Sequence, residues 1–124
     1  MTAKQVAAEI EHAKQVTPLP PGAAWRSITL DPNGSYGPYS GGSMIEWQAM
    51  CAWFAETEAA AAAGDEQRLA RADAVTATIP SWRAFADPAL LDDNGRVLIH
   101  QMTAAAAARA FATMASFMAG NCRR

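Results

Sequence analysis

The stretch SMIEWQAMCAWFAETEAAAAAG, residues 43–64, decides the fold, because it carries the strongest helix signal in the chain. Ser43 and Glu46 fit the S-x-x-E capping box that opens a helix, and Gly64 fits its end. We therefore predict a helix over residues 43–63. At about 100° per residue, its large side chains fall within one arc of about 120°; they are Met44, Trp47, Met50, Cys51 and Phe54.

Two large residues of the same helix lie outside that arc. Trp53 lies off one edge of the arc and Ile45 lies on the other side of the helix. Large apolar side chains on a solvated face would promote association. We expect the loop, another helix or a partner to cover them.

The composition predicts an all-α domain. The chain has 124 residues, the usual size of one domain. Thirty residues are alanine, the strongest helix former, and residues 59–63 and 104–108 are unbroken alanine runs. Valine, isoleucine and threonine are too sparse for a sheet.

Local signals place three further helices around the first. Thr2 and Gln5 form a capping box that predicts a helix over residues 3–16. Asp65 fits the N-cap of a helix over residues 66–79, which Pro80 stops, and this helix forms an antiparallel hairpin with helix 43–63. The last helix, residues 97–119, is expected to be long, central and the most buried. The predicted fold is a small helical bundle made of a helical hairpin and a long C-terminal helix.

Residues 18–43 interrupt the helical pattern with five prolines and five glycines. They also carry large apolar and aromatic side chains, which a free linker does not need; these are Trp25, Ile28, Leu30, Tyr36 and Tyr39. We expect an ordered loop that wraps the helices, with Trp25 packed on helix 43–63 and the tyrosines partly exposed. The chain then divides into an N-terminal connector helix, residues 1–17, and a single helical domain, residues 18–124.

The two cysteines, Cys51 and Cys122, predict a disulfide. Their number is even, they belong to different elements, and Cys122 follows a helix end where the chain would otherwise fray. The alternative is a pair of unrelated thiols, with Cys51 as a small buried apolar residue. A disulfide would indicate an oxidising compartment.

The sequence lacks the residues that several classes of function require. The net charge is −2 with no basic cluster, which argues against nucleic-acid binding. Glu9 and His12 form one Glu-x-x-His pair, but its partner pair is absent, so we expect a solvated surface pair. His100 stands without other ligands and is expected to be a hydrogen-bonded core or capping histidine. We therefore expect no metal and no cofactor. No catalytic motif is present, and a disulfide-bonded Cys51 could not act as a nucleophile.

The candidate binding residues are aromatic, namely Trp25, Tyr36, Tyr39, Trp53 and Trp82. Some of them could line a groove for a ligand or a protein partner. The alternative is that they fill the core, since aromatic side chains dominate core burial in small domains.

The sequence resembles a group of uncharacterised actinobacterial extracytoplasmic domains, secreted or membrane-anchored. The stretches that carry the resemblance are PLPPGAAW (18–25), YGPYSGGSMIEWQAMCAWF (36–54), IPSW (79–82) and GNC (120–122). In that group a central CAW helix and a terminal NC hold a pair of cysteines. The resemblance implies an extracytoplasmic location and a Cys51–Cys122 pair, and it implies no activity.

These observations favour a non-enzymatic extracytoplasmic interaction or sensing domain of unknown specificity. A membrane tether outside this sequence is possible, with helix 3–16 as the membrane-proximal connector. The alternative function is a small-molecule-binding module with an aromatic-lined pocket between residues 18–43 and the helices. A cytoplasmic protein is the alternative location.

Overall fold

A computed structural model describes residues 1–122, and within them six α-helices and one 3₁₀ turn surround two apolar clusters. The last two residues of the predicted domain 18–124 lie outside the described part. The helices are α1 (Ala3–Val16), α2 (Ser40–Ala62), α3 (Glu66–Thr76), α4 (Arg83–Ala86), α5 (Asp93–Ala107) and α6 (Phe111–Asn121), with the 3₁₀ turn at Ile79–Ser81. The all-α prediction is confirmed, and no strand occurs among the described residues.

Helix α2 is the centre of the fold. Ten of its residues are buried, whereas α5 has four buried residues and α6 has two. The prediction that the last helix is the most buried is therefore wrong. The reason is that α2 packs on both sides: it contacts α1 through Ile45, α4 and α6 through the main core, and α3 along the hairpin.

The main core joins α2, the 3₁₀ turn, α4, α5 and α6. All five elements contribute its fully buried large side chains, which are Met50, Phe54, Ile79, Phe85, Ile99 and Met114. Phe54 and Phe117 meet edge to face with ring centroids 6.1 Å apart. Such aromatic pairs stabilise the fold beyond the area they bury.

A smaller N-terminal cluster joins α1 to α2. It consists of Val6, Ile10, Ala13 and Ile45, and parts of the loop pack against it. The two helices approach closely because α2 carries Gly41, where a β-carbon would stand only 2.7 Å from the carbonyl oxygen of Val6. Helix α1 thus packs on the bundle and covers Ile45.

Two predicted helix boundaries are confirmed by local contacts. Thr2 and Gln5 make the reciprocal capping box at the start of α1. The Asp65 side chain accepts a hydrogen bond from the Arg68 N–H at the start of α3, after Gly64 has turned the chain with a φ of +63°. The predicted hairpin of α2 and α3 forms there.

The predicted capping box at Ser43 and Glu46 does not form. Helix α2 begins three residues earlier, at Ser40, after Tyr39 in a left-handed conformation with φ of +59°. Glu46 instead points into the core, where its Oε1 accepts a hydrogen bond from the Ala84 N–H at 3.1 Å. A long-range contact therefore overrides the local capping pattern.

The sequence predicted one continuous last helix over residues 97–119, and this prediction is wrong. The chain breaks at Ala108–Ala110, where Arg109 adopts a φ of +60°. Its guanidinium makes two hydrogen bonds to the Asp73 carboxylate on α3, at 2.7 and 2.8 Å. This contact offsets the cost of a left-handed backbone at a residue with a β-carbon.

The predicted disulfide is confirmed. Cys51 on α2 is bonded to Cys122, which follows α6, with Cα atoms 5.6 Å apart. The bridge ties α6 to the middle of α2.

Candidate functional site

The five predicted aromatic site residues do not form one site. Trp25 and Tyr36 pack against the N-terminal cluster, whereas Tyr39 and Trp82 pack against the main core. Trp53 is buried, and its Nε1 donates a hydrogen bond to the Pro18 carbonyl oxygen at 3.0 Å. The start of the loop thus contacts Trp53, which is one of the covers expected for it. Within residues 1–122 the five aromatic residues are divided between the two clusters and the buried Trp53 position.

A groove does lie between the loop and the helices. Its first cavity has a volume of about 440 Å³ and is open to solvent, between residues 19–26, the outer face of α2 and the end of α6. The lining is Leu19, Ala24, Trp25, Arg26, Gln48, Cys51, Ala52, Ala55, Glu58, Ala115, Met118, Ala119 and Cys122. Both cysteines of the disulfide line this cavity.

A second cavity, of about 660 Å³, continues along α2 from the first. The two cavities share Arg26, Gln48 and Cys51. The second one extends along the loop over residues 27–29 and adds Met44, Trp47 and Asn121. We call the two cavities together the disulfide groove.

The loop wall of the disulfide groove is fixed to α2 by one side chain. The Gln48 Oε1 accepts a hydrogen bond from the Arg26 N–H at 2.9 Å, and its Nε2 donates one to the Arg26 carbonyl oxygen at 3.3 Å. An amide can make both bonds because it carries a donor and an acceptor side by side. The predicted ordered wrap is confirmed here.

Beyond Arg26 the loop continues through residues 27–30, which belong to no helix or turn. Ile28 and Leu30 pack inward against the N-terminal cluster, while Ser27 and Thr29 are exposed. No backbone N–H or C=O of these four residues is hydrogen-bonded to another described residue. The segment therefore has the alternation of a strand without a strand beside it.

The charges of the disulfide groove are few. Among its lining residues, Arg26 and Glu58 carry the formal charges, and neither makes an ion pair within residues 1–122. Most of the remaining lining is alanine, leucine, methionine or tryptophan. The groove is thus mainly apolar with one cationic and one anionic side chain.

A polar cluster lies around Glu46, on the side of α2 away from the disulfide groove. This carboxylate is buried, and among the described residues its Oε2 has no hydrogen-bond partner. Burial and the nearby Glu46 carboxylate raise the pKa of Tyr39 to about 12, although the Arg83 guanidinium, 4.2 Å from the ring centroid, opposes the shift. At neutral pH Tyr39 is therefore a neutral phenol, and the cluster joins α4 to α2.

The surroundings of the Glu9–His12 pair and of His100 differ in part from the predicted ones. Glu9 is not a solvated residue, because its Oε1 accepts a hydrogen bond from the Gly42 N–H at the start of α2 at 2.9 Å. A carboxylate is favourable there because a helix N-terminus carries partial positive charge. His12 is exposed; His100 is exposed too, so its predicted core or capping position is wrong. Within residues 1–122 no three His, Cys, Asp or Glu side chains are arranged to hold a metal ion.

Sequence reasoning missed most of the residues that line the disulfide groove. It selected large aromatic residues, but five alanines form much of the lining. Ala52 and Ala55 come from α2 and Ala115 and Ala119 from α6. Their signal is weak, because short side chains one turn apart leave room for a groove only where another element faces them.

No helix of residues 1–122 combines the length and the apolar character needed to span a bilayer. Comparison with protein-family models, with curated proteins and with solved structures found no match to this chain.

Proposed function

We propose that this protein is a non-enzymatic extracytoplasmic interaction domain, which binds an extended segment of a protein partner in the disulfide groove. The observation that carries the proposal is the backbone of residues 27–30, which makes no hydrogen bond to another residue of 1–122 and borders the groove at residues 27–29. The function rests on recognition alone, because the groove offers a disulfide, one arginine and one glutamate as its reactive or charged groups.

The backbone of residues 27–30 can pair with an extended peptide. A peptide that adds a strand to a free edge gains affinity from main-chain hydrogen bonds and specificity from alternate side chains that enter pockets. Here Ser27 and Thr29 are exposed, so the segment is accessible to such a partner. The inward packing of Ile28 and Leu30 holds the segment in place without the partner.

The groove floor suits the side chains of that peptide. The alanines of α2 and α6 leave the space, and Trp25, Trp47 and Met118 supply apolar contact area. Tryptophan is enriched at the centres of interfaces because it buries a large area at small cost in conformational entropy. Arg26, at the junction of the two cavities, can pair with a carboxylate of the partner.

The disulfide supports the extracytoplasmic part of the proposal. Such bonds persist in oxidising compartments and are rare in the cytosol. The resemblance to secreted or membrane-anchored actinobacterial domains points the same way, and it makes a membrane tether outside this sequence, with α1 as its connector, part of the proposal.

The test uses random twelve-residue peptides displayed on phage, selected against the oxidised protein. The blocking variant is Ala55→Arg, which places a long side chain in the groove from an exposed position on α2. The matched control is Ala70→Arg, an exposed alanine on α3. We expect selected peptides to bind wild type and Ala70→Arg, to lose at least about tenfold in affinity for Ala55→Arg, and to slow amide exchange within residues 27–30. Selected peptides that bind Ala55→Arg equally well, or leave those amides unchanged, would contradict the proposed site.

A small-molecule-binding function is the second candidate, and the volume of the first cavity favours it. Ligand sites commonly enclose about 300–1,000 Å³, a range that includes the 440 Å³ found here. The open shape favours a peptide, because small ligands are usually mostly enclosed. A screen of small apolar compounds by thermal shift, repeated on Ala55→Arg, separates the candidates: a stabilising compound whose effect is lost in that variant would support the alternative.

A further inference from the structure

The Cys51–Cys122 disulfide is reachable from solvent. Both residues are half-buried, and both line the open first cavity of the disulfide groove. Cys51 also lines the second cavity. A small thiol can therefore approach the bridge through the groove without prior unfolding of the core.

Apart from the bridge, α6 has few attachments to the rest of the bundle. Its buried side chains are Met114 and Phe117. No hydrogen bond or ion pair joins residues 112–122 to α1–α5 within the part of the chain that the structure describes. The helix is thus held by two buried apolar side chains, by partly buried neighbours and by a covalent bond at its far end.

The near end of α6 is a hinge with its own anchor. The chain turns at Ala108–Ala110, and the Arg109 guanidinium is bound to Asp73 on α3 and to the Ala106 carbonyl oxygen at 3.0 Å. This anchor does not involve the disulfide. If the bridge opens, α6 can leave its site while the hinge stays attached to α3.

We propose that the disulfide is a reducible latch: a dithiol opens it through the groove, and α6 then undocks about the 108–110 hinge while α1–α5 remain folded. One thiolate of the dithiol attacks a sulfur of the bridge, forms a mixed disulfide and releases the other cysteine as a thiolate. The second thiol of the same reagent then displaces the remaining cysteine and closes an intramolecular disulfide. Two electrons pass from the dithiol to the bridge, and its two protons complete the cysteine thiols.

Undocking would change the surface in two ways. Phe54 would lose the ring of Phe117 and become accessible. The disulfide groove would lose the wall formed by Ala115, Met118 and Ala119. Reduction would thus remove the proposed peptide site and expose part of the core. The latch itself does not depend on the proposed peptide function, since its test requires no partner.

The experiment measures amide hydrogen exchange by mass spectrometry on the oxidised protein with and without dithiothreitol, a small dithiol. A double variant, Cys51→Ala with Cys122→Ala, represents the open latch, and dithiothreitol added to it controls for other effects of the reagent. We expect residues 112–121 to exchange at least about tenfold faster in the reduced wild type and in the double variant, with α2 and α3 unchanged.

Three results would overturn the proposal. The first is a bridge that dithiothreitol reduces only when denaturant is added, because the disulfide would then be inaccessible. The second is equal protection of α6 in the oxidised and reduced proteins. The third is acceleration in all helices together, which would show that reduction destabilises the whole domain instead of releasing one helix.

Discussion

Replacing Gly41 with alanine tests whether the close contact of α1 and α2 holds the N-terminal half of the fold together. The added β-carbon would stand 2.7 Å from the Val6 carbonyl oxygen and 3.1 Å from Ile10 atoms. The first distance is about 0.7 Å short of the 3.4 Å at which ordinary contact begins. A backbone oxygen cannot rotate away, so the two helices must separate.

The expected cost follows from that separation. Forcing an extra methyl group into a packed contact costs about 1–3 kcal/mol, and a clash with a backbone oxygen falls in the upper half of that range, about 2–3 kcal/mol. Alanine returns about 1 kcal/mol as a better helix former than glycine. We expect Gly41→Ala to lower the free energy of unfolding by about 1–2 kcal/mol, which is about 4–8 °C in Tm for a domain of this size. The assay is thermal unfolding followed by circular dichroism, supported by urea unfolding.

Gly120→Ala is the matched control. Gly120 is also helical, but a β-carbon there would meet nothing within 4 Å. This variant should be as stable as wild type or more stable by up to about 1 kcal/mol. If Gly41→Ala stabilises the protein as much as Gly120→Ala does, the close contact of α1 and α2 is not present in solution.

Three other predictions concern single contacts. In urea unfolding, Arg109→Gly should have a free energy of unfolding about 1 kcal/mol higher than Arg109→Ala. Both variants lose the bond to Asp73, but only glycine adopts the φ of +60° without strain. Equal stabilities would contradict this reasoning. Glu46→Ala should lower the free energy of unfolding by about 1–3 kcal/mol and speed hydrogen exchange of the Ala84 amide, which loses its acceptor. An unchanged exchange rate would show that the hydrogen bond between Ala84 and Glu46 does not form. The hydrogen bonds from Arg68 lower the pKa of Glu56 in the folded protein below its value in the unfolded chain. The ion pair therefore stabilises the fold above the unfolded-state pKa, and this stabilisation is lost as the pH falls through the folded-state pKa. A carboxyl titration by NMR should give a lower midpoint in wild type than in Arg68→Met, and coincident curves would refute the ion pair.

Local signals were sufficient for much of the fold. Thr2 and Gln5 define the start of α1 within four residues of sequence, and Gly64 with Asp65 defines the turn between α2 and α3. The disulfide could be inferred because only two cysteines were present to pair. Each of these predictions depends on short-range chemistry or on the number of cysteines, and none of them requires knowledge of the tertiary arrangement.

The errors arose where a distant residue decided the outcome. Glu46 matches a capping box, but the Ala84 amide, 38 residues away, draws it into the core. The alanine run before Arg109 favours one continuous helix, and the break depends on Asp73, 36 residues away. Nothing local to either position indicates these partners.

The candidate site was predicted less well than the fold, for a related reason. Trp25 and Trp82 are both aromatic and partly buried, yet they pack on different clusters. Which cluster a side chain joins depends on how the helices are arranged in space. The alanines of the disulfide groove carry little information by themselves, because a small residue forms a groove only where other elements face it.

The bond between Cys51 and Cys122 also gives the described chain a covalent topology of a ring with a tail. The ring runs from residue 51 to residue 122 and contains α3, α4, α5 and α6, while α1, the loop and the first half of α2 form the tail. A protease that cuts one peptide bond inside the ring leaves a single molecule of unchanged composition apart from one added water. A cut in the tail separates two fragments that only non-covalent contacts can keep together. The proline- and glycine-rich loop is therefore the segment where a single cleavage can detach α1 from the rest of the protein.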